Sequence, residues 1–330
     1  MTSRASLLPV LLLALFFALV LSACAPKFSL FGGGNDPLHE YTLEGKGEKK
    51  VLLLQITGTL TLDPRSGLLS DRPSAVQDVA AQLKKAAKDK SIKALVVSIN
   101  SPGGTVTASD ILYDELTRYK KESGAKLVAA LLGVAASGGY YAAAAADRIV
   151  AHPTTLTGSI GTLFIRPDVA GLMDKIGVKT EVTKSGQYKD MASFFRPSQA
   201  PERAMMQSMI DGLNRRFLEV VAKSRGLSPE EVAKISDARV MNADEAKRLK
   251  LVDSIGYVHD ALSEAKRMAG IDDDSRVVVY RREEIKDDTA YNVMSQTSAA
   301  SLLQPDLIKA LAVPEAGFYY LWMPAALAKD

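Results

Sequence analysis

The chain has 330 residues, 47% apolar and 24% charged, a balance that suits one large folded domain or two smaller ones. Its net charge of +3 is close to neutral for this length, and no basic cluster with interleaved aromatics is present, which argues against nucleic acid as a partner. The single cysteine, Cys24, excludes an intrachain disulfide framework and a cysteine-based metal site. His39, His152 and His259 lack the spacing of a helical metal pair, so no metal is expected.

The first segment reads as a leader. Arg4 precedes an apolar run from Leu7 to Cys24, and Ser22 and Ala23 sit directly before the cysteine. "LSAC" resembles the lipobox of bacterial lipoproteins, in which the cysteine takes a diacylglyceryl group and becomes the mature N-terminus. Residues 1–23 then form a lipoprotein signal peptide, and acylated Cys24 holds the body to membrane lipid outside the cytoplasm, in the cell envelope. The competing reading is an uncleaved N-terminal membrane anchor, for which a run of about 17 residues is short. Residues 24–49 are rich in glycine, proline and charge and read as a tether.

Folded material is expected from residue 50. "VLLLQITGTL" (51–60), "KALVVSIN" (93–100) and "KLVAALLG" (126–133) are buried-strand patterns. Between them lie two helical patterns, 71–89 with a cap-like Ser74 and 105–124 with a stop at Gly124. Residues 147–153 and 179–186 read as further short strands, and 200–270 as mainly helical. Apolar strands alternating with amphipathic helices predict an α/β fold with a mostly parallel sheet covered on both faces. Residues 271–330 read as a separate C-terminal extension with an apolar tail, "GFYYLWMPAALAKD".

In such sheets ligands gather beyond the carboxyl ends of the strands. Two glycine-rich turns fall there, "NSPGG" (100–104) and "ASGG" (136–139). Glycine pairs let the backbone bend tightly, and free amides at helix starts can hold a developing negative oxygen. Ser137, at a bend that runs into alanines, is either a helix N-cap or a nucleophile. A nucleophile needs a base. His152 lies 15 positions downstream and reads better as a strand-end histidine, and no GxSxG elbow surrounds Ser137. Lys189, in "TKSGQYKDM" (183–191), could act as a base only if burial keeps its amine uncharged. Residue physics alone does not single it out from the other lysines.

Four segments, "INSPGGTVTASDILYDEL", "GVAASGGYYAAAAADRIVAHPTTLTGSIGTL", "KSGQYKDM" and "RVMNADEAKRLKLVDSIG", together resemble the signal peptide peptidase A family over about residues 50–265. These are Ser-Lys dyad serine proteases of the Clp protease/crotonase superfamily. The resemblance implies a fold of repeated ββα units with a helical C-terminal extension, and a peptidase domain over 50–270. It implies Ser137 as nucleophile, Lys189 as general base and Ser159 as the residue that orients the base. Gly104 and Gly138 supply the oxyanion-hole amides. It further implies remnant signal peptides or other short apolar or unfolded peptides as substrates, and a homo-oligomeric ring whose neighbouring subunits share active sites. Lys250 stands where such relatives often carry glycine. Two other readings compete: a non-catalytic envelope lipoprotein that binds apolar peptides, and a crotonase-like acyl-CoA enzyme, whose chemistry would not need Ser137.

Overall fold

Three runs of Val, Leu and Ile fix the frame. Strands β2 (Gly47–Thr57), β3 (Ile92–Ser101) and β5 (Lys126–Ala136) pair in parallel, with Leu52 opposite Leu95 and Leu95 opposite Leu127. The computed structural model describes residues 37–64, 73–292 and 316–326. Side chains alternate across the sheet. Leu52, Leu54 and Ile56 therefore meet Val79 and Leu83 of α1 (Ala75–Ala86) and Leu112 and Leu116 of α2 (Val106–Ser123). Val51 and Leu53 point the other way, onto Val258, Ala261 and Leu262 of α8 (Val258–Ala269). Both faces are covered, which is why the strands read as unbroken apolar runs.

The sheet extends beyond this frame in the order β1-β11-β2-β3-β5-β6-β10, with β1 (His39–Glu44), β11 (Ser275–Arg281), β6 (Arg148–Ala151) and β10 (Ser254–Ile255). β7 (Leu156–Gly158) pairs with the far end of β5 and with β9 (Val240–Asn242). A second, three-stranded sheet is built from β4 (Gly103–Thr105), β12 (Gly317–Leu321) and β8 (Leu163–Ile165). The remaining helices are α3 (Gly138–Ala143), α4 (Ala170–Lys175), α5 (Ala200–Arg225), α6 (Pro229–Ala233), α7 (Ala243–Arg248) and α9 (Met323–Ala326).

The helix signals fall where expected. Ser74 closes a capping box with Gln77 at the start of α1. Thr105 caps α2, and Gly124 ends it in the left-handed conformation. Among the described residues no helix is long and apolar enough to cross a membrane. The apolar run and Cys24 lie outside the described residues.

Three expectations are corrected. Residues 39–44 are not tether: β1 pairs antiparallel with β11, and its edge position tolerates the polar alternation that hid it. The extension is not separate, and its described residues hold two strands and one short helix, α9. β11 is buried between β1 and β2, and β12 lies between β4 and β8, so 271–330 contributes strands to both sheets. Residues 179–186 form no strand. Every residue from 161 to 201 is at least partly exposed, and beyond β8 (Leu163–Ile165) the arm pairs with no strand among the described residues.

The arm leaves Leu172, Ile176 and Phe195 at 61%, 64% and 50% exposure. Large apolar side chains left in water are costly, and exposed apolar patches are a feature of interaction sites.

Helix α3 is tied to a segment 111 residues further along the chain by a buried bond, Tyr140 Oη donating to Leu251 O at 2.7 Å. Burial pushes this phenol well above its usual range. Tyr140→Phe strands that carbonyl in the core and should lower unfolding free energy by about 1–3 kcal/mol. Urea titration should show an earlier midpoint at an unchanged slope.

Candidate active site

The parallel strands β3 and β5 end side by side, and the site is built where they stop. The register slips between Ile99 and Ser101, opposite Leu131 and Ala135. Asn100 fastens this bulge, its Oδ1 accepting from Val134 N at 3.0 Å, and the bulge turns the end of β5 toward the turn after β3.

Ser137 follows at φ 52°, ψ −118°. A non-glycine residue held there costs on the order of 1–3 kcal/mol, so the surroundings must impose it. They do so through the backbone: Ser137 N donates to Gly158 O at 2.8 Å, and Tyr141 N donates to Ser137 O at 2.9 Å. The side chain makes no capping bond to α3. Its Oγ is buried and has no hydrogen-bond partner.

The other turn is pressed against this one. Gly103 adopts φ 96°, and a methyl group on it would lie 2.7 Å from Gly138 N and 2.0 Å from Tyr320 O. A Cβ on Gly138 would meet Ser109 Oγ at 2.2 Å. Gly103 cannot accept a side chain without moving backbone, and at Gly138 the Ser109 hydroxyl would have to move. The close approach brings the Gly103–Gly104 turn onto the first amide of α3, which has no partner within its own helix.

Ser159 continues β7 as Ser137 continues β5. Ala136 is paired with Gly158, so the two serines occupy the next register position on adjacent parallel strands. Ser159 shares the left-handed backbone, φ 51°, and its N donates to Arg239 O at 2.9 Å. His152 is engaged elsewhere: Nδ1 is 2.9 Å from Thr154 Oγ1, and its ring packs edge-on to Tyr257.

Lys189 is not joined to Ser137 within one chain. It is exposed, on a turn closed by Lys189 N donating to Gly186 O at 3.2 Å. Its neighbour Asp190 is clamped. Arg196 donates to both Asp190 carboxylate oxygens at 2.9 Å, and Lys184 Nζ donates to Oδ1 at 2.7 Å. Arg196 also donates to Glu202, whose carboxylate accepts from Gln199 N at 2.8 Å. These cations hold the Asp190 carboxyl far below its usual range, and Arg196, with the Gln199 amide, holds Glu202 at about 2.

Sequence reading missed this clamp. Arg196 lies seven residues after Lys189 in an irregular loop, and nothing in its spacing marks it. Arg196→Lys keeps the charge but loses the planar fork. Hydrogen exchange at the Lys189 and Met191 amides should then quicken several-fold, because the forked charge-assisted bonds to Asp190 and Glu202 are lost. Glu202 is more acidic folded than unfolded, so its contribution is complete above its ordinary 4.5 and fades as pH falls toward 2. Exchange in the wild type should follow that course.

Residues 119–272 match the family model described as peptidase family S49, and residues 71–156 match the Clp protease model. A protein from Enterococcus faecium, provisionally named signal peptide peptidase SppA, is 34% identical over 254 residues, 77% of this chain and 73% of that one. Protease 4 of Haemophilus influenzae is 31% identical over 283 residues, 84% of this chain and 44% of that one. Serine protease SPPA, chloroplastic, of Arabidopsis thaliana is 30% identical over 228 residues, 68% of this chain and 33% of that one. The chain thus spans less than half the length of these last two. Among solved structures, a mutant of ClpP1 from Listeria monocytogenes aligns at 20% identity and TM-score 0.42, over 64% of this chain and 94% of that one.

Proposed function

The chain belongs to peptidase family S49 and is a serine protease, and on that premise we propose that Ser137 is its nucleophile and Lys189 its general base. The observation that carries this reading is the Ser137 hydroxyl: buried, unpartnered and held in a strained bend at the head of a helix. A buried hydroxyl left without a bond costs about 1–3 kcal/mol, which a protein tolerates where the group has work to do.

The mechanism is acyl transfer. Neutral Lys189 takes the Ser137 proton, and Oγ attacks a peptide carbonyl. The amides of Gly104 and Gly138 stabilise the tetrahedral oxyanion, a contribution of about 3–4 kcal/mol for each donor in such holes. The amine leaves with the proton carried by Lys189, and water then hydrolyses the acyl-enzyme. Ser159, beside Ser137, orients the lysine. Side chains and backbone amides suffice for every step.

The lysine reaches Ser137 from a neighbouring copy. Lys189 sits on the exposed apolar arm, and head-to-tail packing of that arm onto the next subunit closes a ring in which each site joins two chains. Substrates are remnant signal peptides and other short apolar or unfolded segments, laid in extended form along a strand edge. Lipid on Cys24 keeps the enzyme at the membrane surface, outside the cytoplasm.

Ser137→Ala and Lys189→Ala should each lower hydrolysis of a fluorogenic peptide by about 10⁴-fold or more. Mixing the two inactive variants before assembly should restore activity at about a quarter of the sites, because a ring with shared sites reunites an intact serine with an intact lysine. Full activity in either single variant refutes the dyad, and no recovery on mixing refutes sharing. Cys24→Ala should abolish incorporation of labelled fatty acid, and persistent labelling would exclude that anchor.

A further inference from the structure

The two ends of the parallel strands differ sharply in charge. At the carboxyl ends, the turns 57–64, 100–105, 133–139 and 152–162 contain no lysine or arginine. At the amino ends three lysine-rich segments meet: "GKGEKK" (45–50) at the start of β2, "KKAAKDKSIK" (84–93) at the start of β3 and "YKKESGAK" (119–126) at the start of β5. They are far apart in the chain and side by side in the fold, because Lys50 stands opposite Ile92 and Ala94 opposite Lys126.

The fold itself uses part of this charge. Lys50 bridges Glu40 at 2.7 Å and Asp89 at 2.8 Å, and Lys120 bridges Asp147 at 3.0 Å. Lys84, Lys85, Lys120 and Lys121 lie in the last turns of α1 and α2, where cations complement the helix ends. Neither reason covers Lys49, Lys88, Lys90, Lys93 and Lys126. They stand on strands or turns, all but Lys93 are exposed, and among the described residues no ion pair joins them to a carboxylate. Glu48 and Glu122 are interspersed, and Asp272–Asp274 borders the group where Lys46 N donates to Asp274 O, so positive charge prevails over β2, β3 and β5 and stops at β11. The chain enters the fold at the same place. Lys85 Nζ donates to Leu38 O at 2.6 Å and lies 5.1 Å from the centre of the Tyr280 ring. Leu38 is 14 residues after Cys24, a reach of about 50 Å at full extension.

We propose that the lysine-bearing end of the sheet is a docking surface for anionic phospholipid headgroups, which sets the body against the bilayer with the Ser137 end turned away. Clustered lysines without protein partners are drawn to the negative surface of such membranes. The proposal rests on the reading of Cys24 as the lipid anchor, because a short tether that departs beside the cluster brings it within reach of the headgroups. β3, 10 residues long at about 3.3 Å each, holds the glycine turns about 30 Å further out, beyond the range of the surface charge. A peptide must then leave the bilayer before it meets Ser137.

An acetylation footprint of the full-length acylated protein tests this, on vesicles of phosphatidylcholine alone or with about 30% phosphatidylglycerol. Lys49, Lys88, Lys90 and Lys126 should acetylate about fivefold more slowly on the anionic vesicles, while Lys175 on the arm and Lys234 after α6 should not change. Salt at about 0.5 M should erase the difference. Lys88→Glu combined with Lys90→Glu should expose Lys49 and Lys126 again and leave peptide hydrolysis in detergent unchanged. Equal acetylation of the wild type on both vesicles overturns the surface, as does slowing that extends equally to Lys175 and Lys234. The same slowing by inorganic phosphate on neutral vesicles would mark a simple anion site and overturn it too. Failure of the anchor is read separately: fatty-acid label that persists in Cys24→Ala would remove the tether argument, whereas the footprint reports on the surface alone.

Discussion

The whole site depends on one backbone contact, the Gly103–Gly104 turn pressed against the first amide of α3. Neither Gly103 nor Gly138 has space for even a methyl group, because Tyr320 O and Ser109 Oγ stand where it would go. Two parallel strands of nearly equal length, ending together, deliver these turns to the same place. The β5 bulge, fastened by Asn100, closes the remaining gap. Amides brought so close are pre-aimed, which is what electrostatic stabilisation of a developing charge requires.

The rigidity of this half contrasts with the arm that carries Lys189. Ser137 stands on a sheet buried on both faces, and its strained backbone is imposed by bonds to Gly158 and Tyr141. Lys189 stands on a segment with no buried residue from 161 to 201, organised by Arg196 and its two carboxylates rather than by a core. On the proposed reading, a nucleophile on a fixed frame and a base on an exposed, ion-clamped arm would divide the site into a part that one chain completes and a part that it offers to a neighbour.

The sequence made the central frame readable because burial on both faces leaves little ambiguity. β2, β3 and β5 appear as continuous apolar runs, and Thr105 and Gly124 bracket α2 by capping chemistry alone. Edge elements were harder. "HEYTLE" alternates like an exposed segment because β1 pairs on one side only, and β11 follows a charged loop that resembled an extension. The two glycine turns and the bend at Ser137 were legible as punctuation, but their contact depends on the bulge, which no local pattern announces. Lys189 came only from the family resemblance. The contacts of Tyr320 join segments more than a hundred residues apart, so no window of sequence contains them; Arg196 lies only six residues from each of its carboxylates, but in an irregular loop where no period marks the pairing. Lys250 shows the reverse: its φ of 63° is a conformation that favours glycine, and nothing in the side chain announces it.

The most direct measurement is peptide mapping of the enzyme after reaction with a serine-directed phosphonate, with the structure of the labelled assembly. The adduct should fall on Ser137 alone, its phosphoryl oxygen between the amides of Gly104 and Gly138 and the Lys189 amine of an adjoining chain beside Oγ. An adduct on any other serine, or a labelled assembly with every Lys189 amine in open solvent, would contradict the assignment.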